Sequence, residues 1–189
     1  MSSGSEIHKG GGGRRDTDGA VLVALGGNMA GDYGSSEALL EAALARFAQA
    51  GLPVVARSSW WSSAAWPDPT ANEYRNGVAL VETKLAPLQA LHTLFSIEAE
   101  FGRVRSEKNA PRTLDLDLIA HGRAALAAED LVLPHPRAHE RLFVMGPLAE
   151  IAPEWRHPTL GTTARRLAAS ASVGLDARPV SKKPRREPI

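Results

Sequence analysis

The feature that most constrains this chain is a strand-like segment carrying two acids, Leu114-Asp115-Leu116-Asp117-Leu118-Ile119. Successive side chains on a strand point to opposite faces, so Leu114, Leu116 and Leu118 share one side, and Asp115, Asp117 and Ile119 share the other. Residues two apart on one face have Cα atoms about 6.5–7 Å apart. Two carboxylates at that spacing can converge on one Mg²⁺, or on a pair of ions about 3.5–4 Å apart. Mg²⁺ suits them because it takes hard oxygen ligands, keeps several waters and is commonly held by one or two carboxylates together with substrate phosphates. Adjacent ionised acids repel, so the segment calls for positive charge nearby. The plain alternative is a solvated face on which Asp115 and Asp117 pair with Arg112 or a neighbouring lysine. Arg103, Arg105 and Arg112, just upstream, supply charge for something more anionic than two carboxylates. The guanidinium is a rigid planar fork that matches phosphate oxygens, and three in one irregular segment suit a polyphosphate clamp.

The rest of the chain supplies a frame for this segment. Residues 21–25 are continuously apolar and end at Gly26-Gly27-Asn28, the pattern of a buried strand followed by a turn. A helix follows, capped by Ser35 or Ser36, with Leu40, Ala43, Leu44 and Phe47 at helical spacing until Gly51. Residues 53–61 predict a second strand. Residues 62–73, rich in proline and small polar residues, form a long loop with Trp66 in its middle; it is either a lid that closes on something flat or a loop packed on its own Trp. Residues 74–84 predict a third strand with Tyr74, Asn76, Val78 and Leu80 on one face. Tyr74 and Asn76 then stand together near the Trp66 loop, where an aromatic and an amide can grip a heteroaromatic ligand; a half-buried Tyr and a turn Asn are the alternative.

Pro87 suits a first helical turn, and Leu88, Leu91, Leu94, Phe95 and Phe101 give the apolar stripe before Gly102. Spacing leaves Glu98 either as a carboxylate at the core edge bound by an arginine or as a solvated Glu. Beyond the acid strand, a turn at His121-Gly122-Arg123 and the run Leu131-Val132-Leu133 suggest a hairpin. Helices over 140–151 and 162–171 follow. His135 and His139 have the spacing of a helical metal pair, but Pro136 argues against a helix spanning them.

The order strand, helix, strand, strand, helix, strand predicts an α+β fold, a ferredoxin-like split βαβ sandwich with a βαββαβ core and a C-terminal hairpin and helices. Both core helices are expected on one sheet face, which leaves Asp115, Asp117, Tyr74 and Asn76 on the open side. The expected organisation is a flexible N-terminal tail over 1–18, one domain over 19–172, and a basic, disordered tail over 173–189.

A net charge of +1 gives no global electrostatic case for nucleic acid or an anionic membrane. The absence of cysteine excludes disulfides and thiolate metal sites and fits a reducing cytoplasm. No apolar run reaches the roughly 18–20 residues that span a bilayer, so no membrane contact is expected. A cytoplasmic monomer is expected.

The stretch from Lys108 through Arg112, Asp115 and Asp117 to Ile119 resembles the 6-hydroxymethyl-7,8-dihydropterin pyrophosphokinase family of folate biosynthesis. Gly26-Gly27-Asn28, Tyr74-Arg75-Asn76, Gly102-Arg103-Val104-Arg105, Pro134-His135-Pro136 and Arg141-Leu142-Phe143 stand in the matching order. The resemblance implies transfer of a pyrophosphoryl group from ATP to the hydroxymethyl oxygen of a reduced pterin, with release of AMP. It implies two Mg²⁺ ions on Asp115 and Asp117, with Arg103 and Arg112 also in the catalytic machinery. Glu98, Arg103, Arg105, Arg112, Leu118, His135 and Arg141 match ATP-binding positions. Ser63, Ala64, Trp66, Tyr74, Asn76 and Phe143 match positions around the pterin. The chain departs from some members at Asn109, where they carry Trp, and at Ser63-Ala64, Phe95, Gly27 and Pro136. Two alternatives stand beside this one: a Mg²⁺-dependent nucleotidyltransferase of the same fold, and an RNA-binding ferredoxin-like module.

Overall fold

The computed structural model describes residues 19–65, 68, 70–103 and 113–181. Trp66, Arg105, Arg112 and the two outermost tail segments lie outside these residues, so the expectations placed on them do too.

The elements in order are β1 (Val21–Gly27), α1 (Ser36–Phe47), β2 (Val54–Arg57), β3 (Trp61–Ser63), β4 (Tyr74–Val81), α2 (Pro87–Glu100), β5 (Asp115–His121), β6 (Leu126–Ala127), β7 (Val132–Leu133), α3 (Leu142–Ile151), α4 (Ala164–Ala169) and β8 (Arg178–Pro179). The protein is α+β. The main sheet runs β5-β1-β4-β3-β8, with β2 also paired to β4, and its pairings are antiparallel.

The helices start where their chemistry allows. The Ser35 hydroxyl accepts from the Ala38 amide, capping α1. At α2, Pro87 occupies the first turn, and the Gln89 side chain accepts from the Ala86 amide. Gly102, at φ +78°, ends α2 in the left-handed region and turns the chain toward Arg103. Both helices cover one sheet face, burying Leu39, Phe47, Leu94 and Ile97 against Val23, Val81, Leu114, Leu116 and Leu118. Burying a side chain of this size is worth about 1.5–3 kcal/mol, so this layer contributes strongly to stability.

The opposite face is not open. Helices α3 and α4, with Trp155, cover Leu22, Ala24, Val78, Leu80, Ile119 and Ala120. Helix α3 is fixed to the strand edge by Glu150, whose carboxylate accepts from the Ser59 amide at 2.9 Å and from Trp61 Nε1 at 2.7 Å. The expectation of one bare face fails because α3 is apolar nearly all round, with Val144, Met145, Gly146, Pro147 and Leu148 all buried, and needs a sheet to lie on. Among the described residues, only the end of this face near Asp115 and Tyr74 stays uncovered.

Other expectations are corrected in detail. Gly26 and Gly27 continue β1, with Gly26 paired to both Asn76 and Asp115. The second strand is broken at residues 58–60 into β2 and β3. The register shift between β1 and β5 at Leu22/Val23 leaves Ile119 unpaired, and Ile119 and Ala120 both join the α3-side core. The hairpin is β6 with β7, in a small sheet of its own, and does not include β5. A short 3-10 turn over Ala138–Glu140 precedes α3. Residues 173–181, expected as disordered tail, pack on the domain through β8, and the Val180 amide donates to the Trp60 carbonyl at 2.8 Å.

Candidate functional site

The uncovered end of the second face is a cavity of about 540 Å³. Its lining is contributed by β1 (Ala24, Leu25, Gly26), β3 and the residue after it (Ser63, Ala64), β4 (Tyr74, Asn76), β5 (Asp115, Asp117), Arg137, α3 with its cap (Arg141, Phe143, Val144), and Val173. The register explains the shape. Asp115 lies opposite Gly26, which lies opposite Asn76, and Asp117 lies opposite Ala24, which lies opposite Val78. The middle strand thus has only a hydrogen and a methyl group where its neighbours carry functional side chains, and these small residues form the floor.

At the β5 end the chemistry is ionic. Asp115 Oδ1 accepts from Arg103 Nη1 at 2.6 Å. The same nitrogen donates to Glu98 Oε1, which also accepts from the Leu116 amide at 2.7 Å. Glu98 is 1% exposed. It is therefore the carboxylate at the core edge bound by an arginine, and it is joined to the cavity through Arg103 and β5. Leu118 likewise does not face the cavity: alternation puts its side chain in the α1/α2 core with Leu116. Both residues match ATP-binding positions by resemblance, and neither is among the residues that line the cavity.

Among the described residues, no cation stands so close to Asp117. Arg141 Nη1 stands 3.9 Å from its Oδ2, beyond hydrogen-bonding distance. Burial, and then the neighbouring Asp115 charge, push the Asp117 carboxyl above its ordinary value, only partly offset by His135, Arg141 and Arg103. A carboxylate held in this way favours a cation. Mg²⁺ fits the donor set, since it takes one or two carboxylates and completes its shell with water and phosphate oxygens. No cluster of three or more His, Cys, Asp or Glu suited to a metal occurs among the described residues.

His135 is placed by its amide, which donates to the Ile119 carbonyl at 2.8 Å. Its Nδ1 accepts from the Arg137 amide at 3.2 Å, which leaves Nε2 as the protonated nitrogen of the neutral ring. Desolvation lowers its pKa despite the pull of Asp117. It shares no helix with His139, which packs edge-on against His157 at 5.5 Å between ring centroids.

At the opposite end the walls are aromatic and amide. Tyr74 and Phe143 both line the cavity. Asn76 is 7% exposed, and its Nδ2 donates to Ser63 Oγ at 3.0 Å, which fixes the amide's orientation. The Arg141 guanidinium lies 5.7 Å over the Phe143 ring, joining this wall to the acid end.

Of the expected site residues, the cavity gathers Ser63, Ala64, Tyr74, Asn76, Asp115, Asp117, Arg141 and Phe143, with Arg103 bound to Asp115. Sequence reasoning missed Arg137, Val173 and the floor residues Gly26 and Ala24. Paired glycines at a strand end were the available signal for the floor.

The sequence model described as 7,8-dihydro-6-hydroxymethylpterin-pyrophosphokinase matches residues 22–153. A 2-amino-4-hydroxy-6-hydroxymethyldihydropteridine pyrophosphokinase of Synechocystis sp. is 45% identical over 144 residues, covering 76% of this chain and 71% of the relative. One of the same name from Pseudomonas aeruginosa is 38% identical over 159 residues, covering 84% and 96%. Among solved structures, a Plasmodium falciparum HPPK-DHPS triple mutant with STZ-DHP superposes with a TM-score of 0.61 at 13% identity, over 79% of this chain and 41% of that one. A further HPPK-DHPS, in complex with substrates, gives a TM-score of 0.59 at 15% identity, over 80% and 43%. This chain thus spans about two fifths of those solved chains, and the likeness to them shows the fold. Residues 22–153 carry the match, and the chain belongs to the 7,8-dihydro-6-hydroxymethylpterin-pyrophosphokinase family.

Proposed function

We propose that the protein transfers a pyrophosphoryl group from ATP to 6-hydroxymethyl-7,8-dihydropterin, a step of folate biosynthesis, with Asp115 and Asp117 holding two Mg²⁺ ions. The carrying observation is that the two acids and the Tyr74, Asn76 and Phe143 wall line one cavity. When bound, Mg²⁺ neutralises the triphosphate and acidifies the attacking hydroxyl.

The residues of the chain do the positioning. Tyr74 and Phe143 flank the pterin ring, Asn76 hydrogen-bonds its edge, and Ser63 and Ala64 complete the wall. Arg103, fixed by Glu98, keeps Asp115 oriented toward the cavity, and Arg141 and His135 offer donors to phosphate oxygens. Arg105, Arg112 and Trp66 carry the roles the family resemblance gives them. The pterin CH₂–OH oxygen forms a bond to the β-phosphorus as the bond from that phosphorus to the α,β-bridging oxygen breaks. AMP leaves, and the hydroxyl proton passes to solvent. Alignment of the reacting atoms accounts for much of the rate.

The sheet order, with the strand after each core helix lying beyond one intervening antiparallel strand, supports the ferredoxin-like reading. We also infer a monomer, and a cytoplasmic setting from the lack of cysteine in the sequence; no helix among the described residues is long and apolar enough to cross a membrane. The test is phosphorus NMR of the protein with MgATP and the reduced hydroxymethylpterin. AMP and a pyrophosphorylated alcohol are expected. Release of pyrophosphate instead would favour the nucleotidyl-transfer alternative.

A further inference from the structure

Given a pterin at the aromatic end of the cavity, we infer that residues 173–180 are a built wall of the pterin site, with Asp176 and Gly174 as its positioning residues. Three contacts carry this. The Asp176 carboxylate accepts from the Ala64 amide, so the residue that follows β3 and lines the cavity is held by a residue 112 positions further along the chain. Gly174 sits at φ +68°, and a Cβ there would lie 2.9 Å from Phe143 Cε1 and closer still to Cδ1. The Phe143 ring therefore rests on a backbone surface that only glycine leaves clear. Val173 itself lines the cavity and is anchored on both sides: its amide donates to the Glu140 carbonyl at 3.0 Å, and its carbonyl accepts from the Leu142 amide at 2.9 Å.

The segment also spans the loop that follows β3. Asp176 holds Ala64 at one end of that loop, and Arg178 pairs with Glu73 at the other, at 3.0 Å. Strand β8 adds to β3 alongside, opposite Trp61 and Ser62. Both ends of the loop are thus tied to one short strap, which sets the gap between the Ala64 side and the Phe143 side of the pocket. Asp176 acts on the ligand only through Ala64, and Gly174 only through Phe143.

The test compares Asp176→Ala, Asp176→Asn and Gly174→Ala with the wild type, using calorimetry with 6-hydroxymethylpterin and steady-state KM values for the reduced pterin and for MgATP. Asp176 is exposed, so its truncation leaves the core intact. Asp176→Ala is expected to raise the pterin Kd and KM about fivefold to tenfold while the ATP KM moves less than about twofold. Asp176→Asn restores pterin binding, because its amide oxygen still accepts from the Ala64 N–H. Gly174→Ala raises the pterin Kd by displacing the ring. A wild-type pterin Kd in Asp176→Ala overturns the inference, and so does an equal loss for both substrates that tracks a lower Tm. Wild-type protein that binds no pterin at all would overturn the functional reading instead.

Discussion

The two ends of the cavity are stabilised in opposite ways. At the β5 end, two acids stand on one strand face, and the tension lies with Asp117, whose carboxyl is pushed above its ordinary value and whose nearest cation among the described residues is 3.9 Å away. At the β3 end, the polar groups around the pocket are matched to one another: Asn76 to Ser63, Ala64 to Asp176, and Arg178 to Glu73. The first arrangement holds Asp115 through Arg103 and Glu98 but leaves Asp117 for cations and phosphates to complete, and the second is preformed. A charged ligand end that needs completion, beside a neutral ligand end that does not, is what a site must have to hold an anionic nucleotide and a flat heterocycle together.

The comparison can be broken at its acid end first. Asp117→Ala should lower kcat by about 10²- to 10³-fold with an unchanged Tm, since it relieves like-charge repulsion, and Asp115→Ala should lower kcat as far but also reduce Tm slightly, because it gives up the bond from Arg103. Single-turnover rates with MgATP and circular-dichroism melts would check both halves of that expectation. Glu98→Ala is next. It strips a buried acceptor from Arg103 and from the Leu116 amide, so a loss of about 3 kcal/mol in denaturant unfolding is expected, along with slower turnover through a misplaced Asp115.

Asn76→Ala should raise the pterin KM about tenfold and leave the ATP KM in place; an equal rise in both would erase the distinction between the ends. The smallest effect concerns His157, which packs against Trp155 and His139 away from both ends of the cavity. Desolvation, then His139 and Arg123, lower the His157 pKa to about 4. Because the unfolded chain takes up that proton near pH 6.5 and the folded one does not, stability should fall as pH drops from 6.5 toward 4. A His157→Phe variant, followed by thermal melts across this window, should show a shallower fall.

How much was legible in the sequence differs between the same two ends. The acid strand announced itself because period-2 alternation is unambiguous when leucines separate aspartates, and Leu114, Leu116 and Leu118 do occupy the helix-side core. That pattern also placed the Leu118 side chain in the helix-side core, so any part it has in ATP binding falls to its backbone. Tyr74 and Asn76 were legible by the same alternation. Gly26 and Gly27 misled because glycine signals a turn, whereas here its lack of a side chain opens the cavity floor. The C-terminal wall was not legible: β8 has two residues and no period, and the contact from Asp176 to Ala64 joins positions 112 apart in the chain. Glu98 was left undecided because helical spacing gives a side chain's face but not its partner, and here the partner arrives from beyond the helix end.

The central claim is that Asp115 and Asp117 together grip the cations that carry a nucleotide's phosphates. A crystal structure with Mg²⁺, a non-hydrolysable ATP analogue and 6-hydroxymethylpterin tests it most directly. The account predicts metal between both carboxylates and the phosphate chain, with the pterin between Tyr74 and Phe143. Carboxylates free of metal, with the nucleotide bound elsewhere, would contradict it.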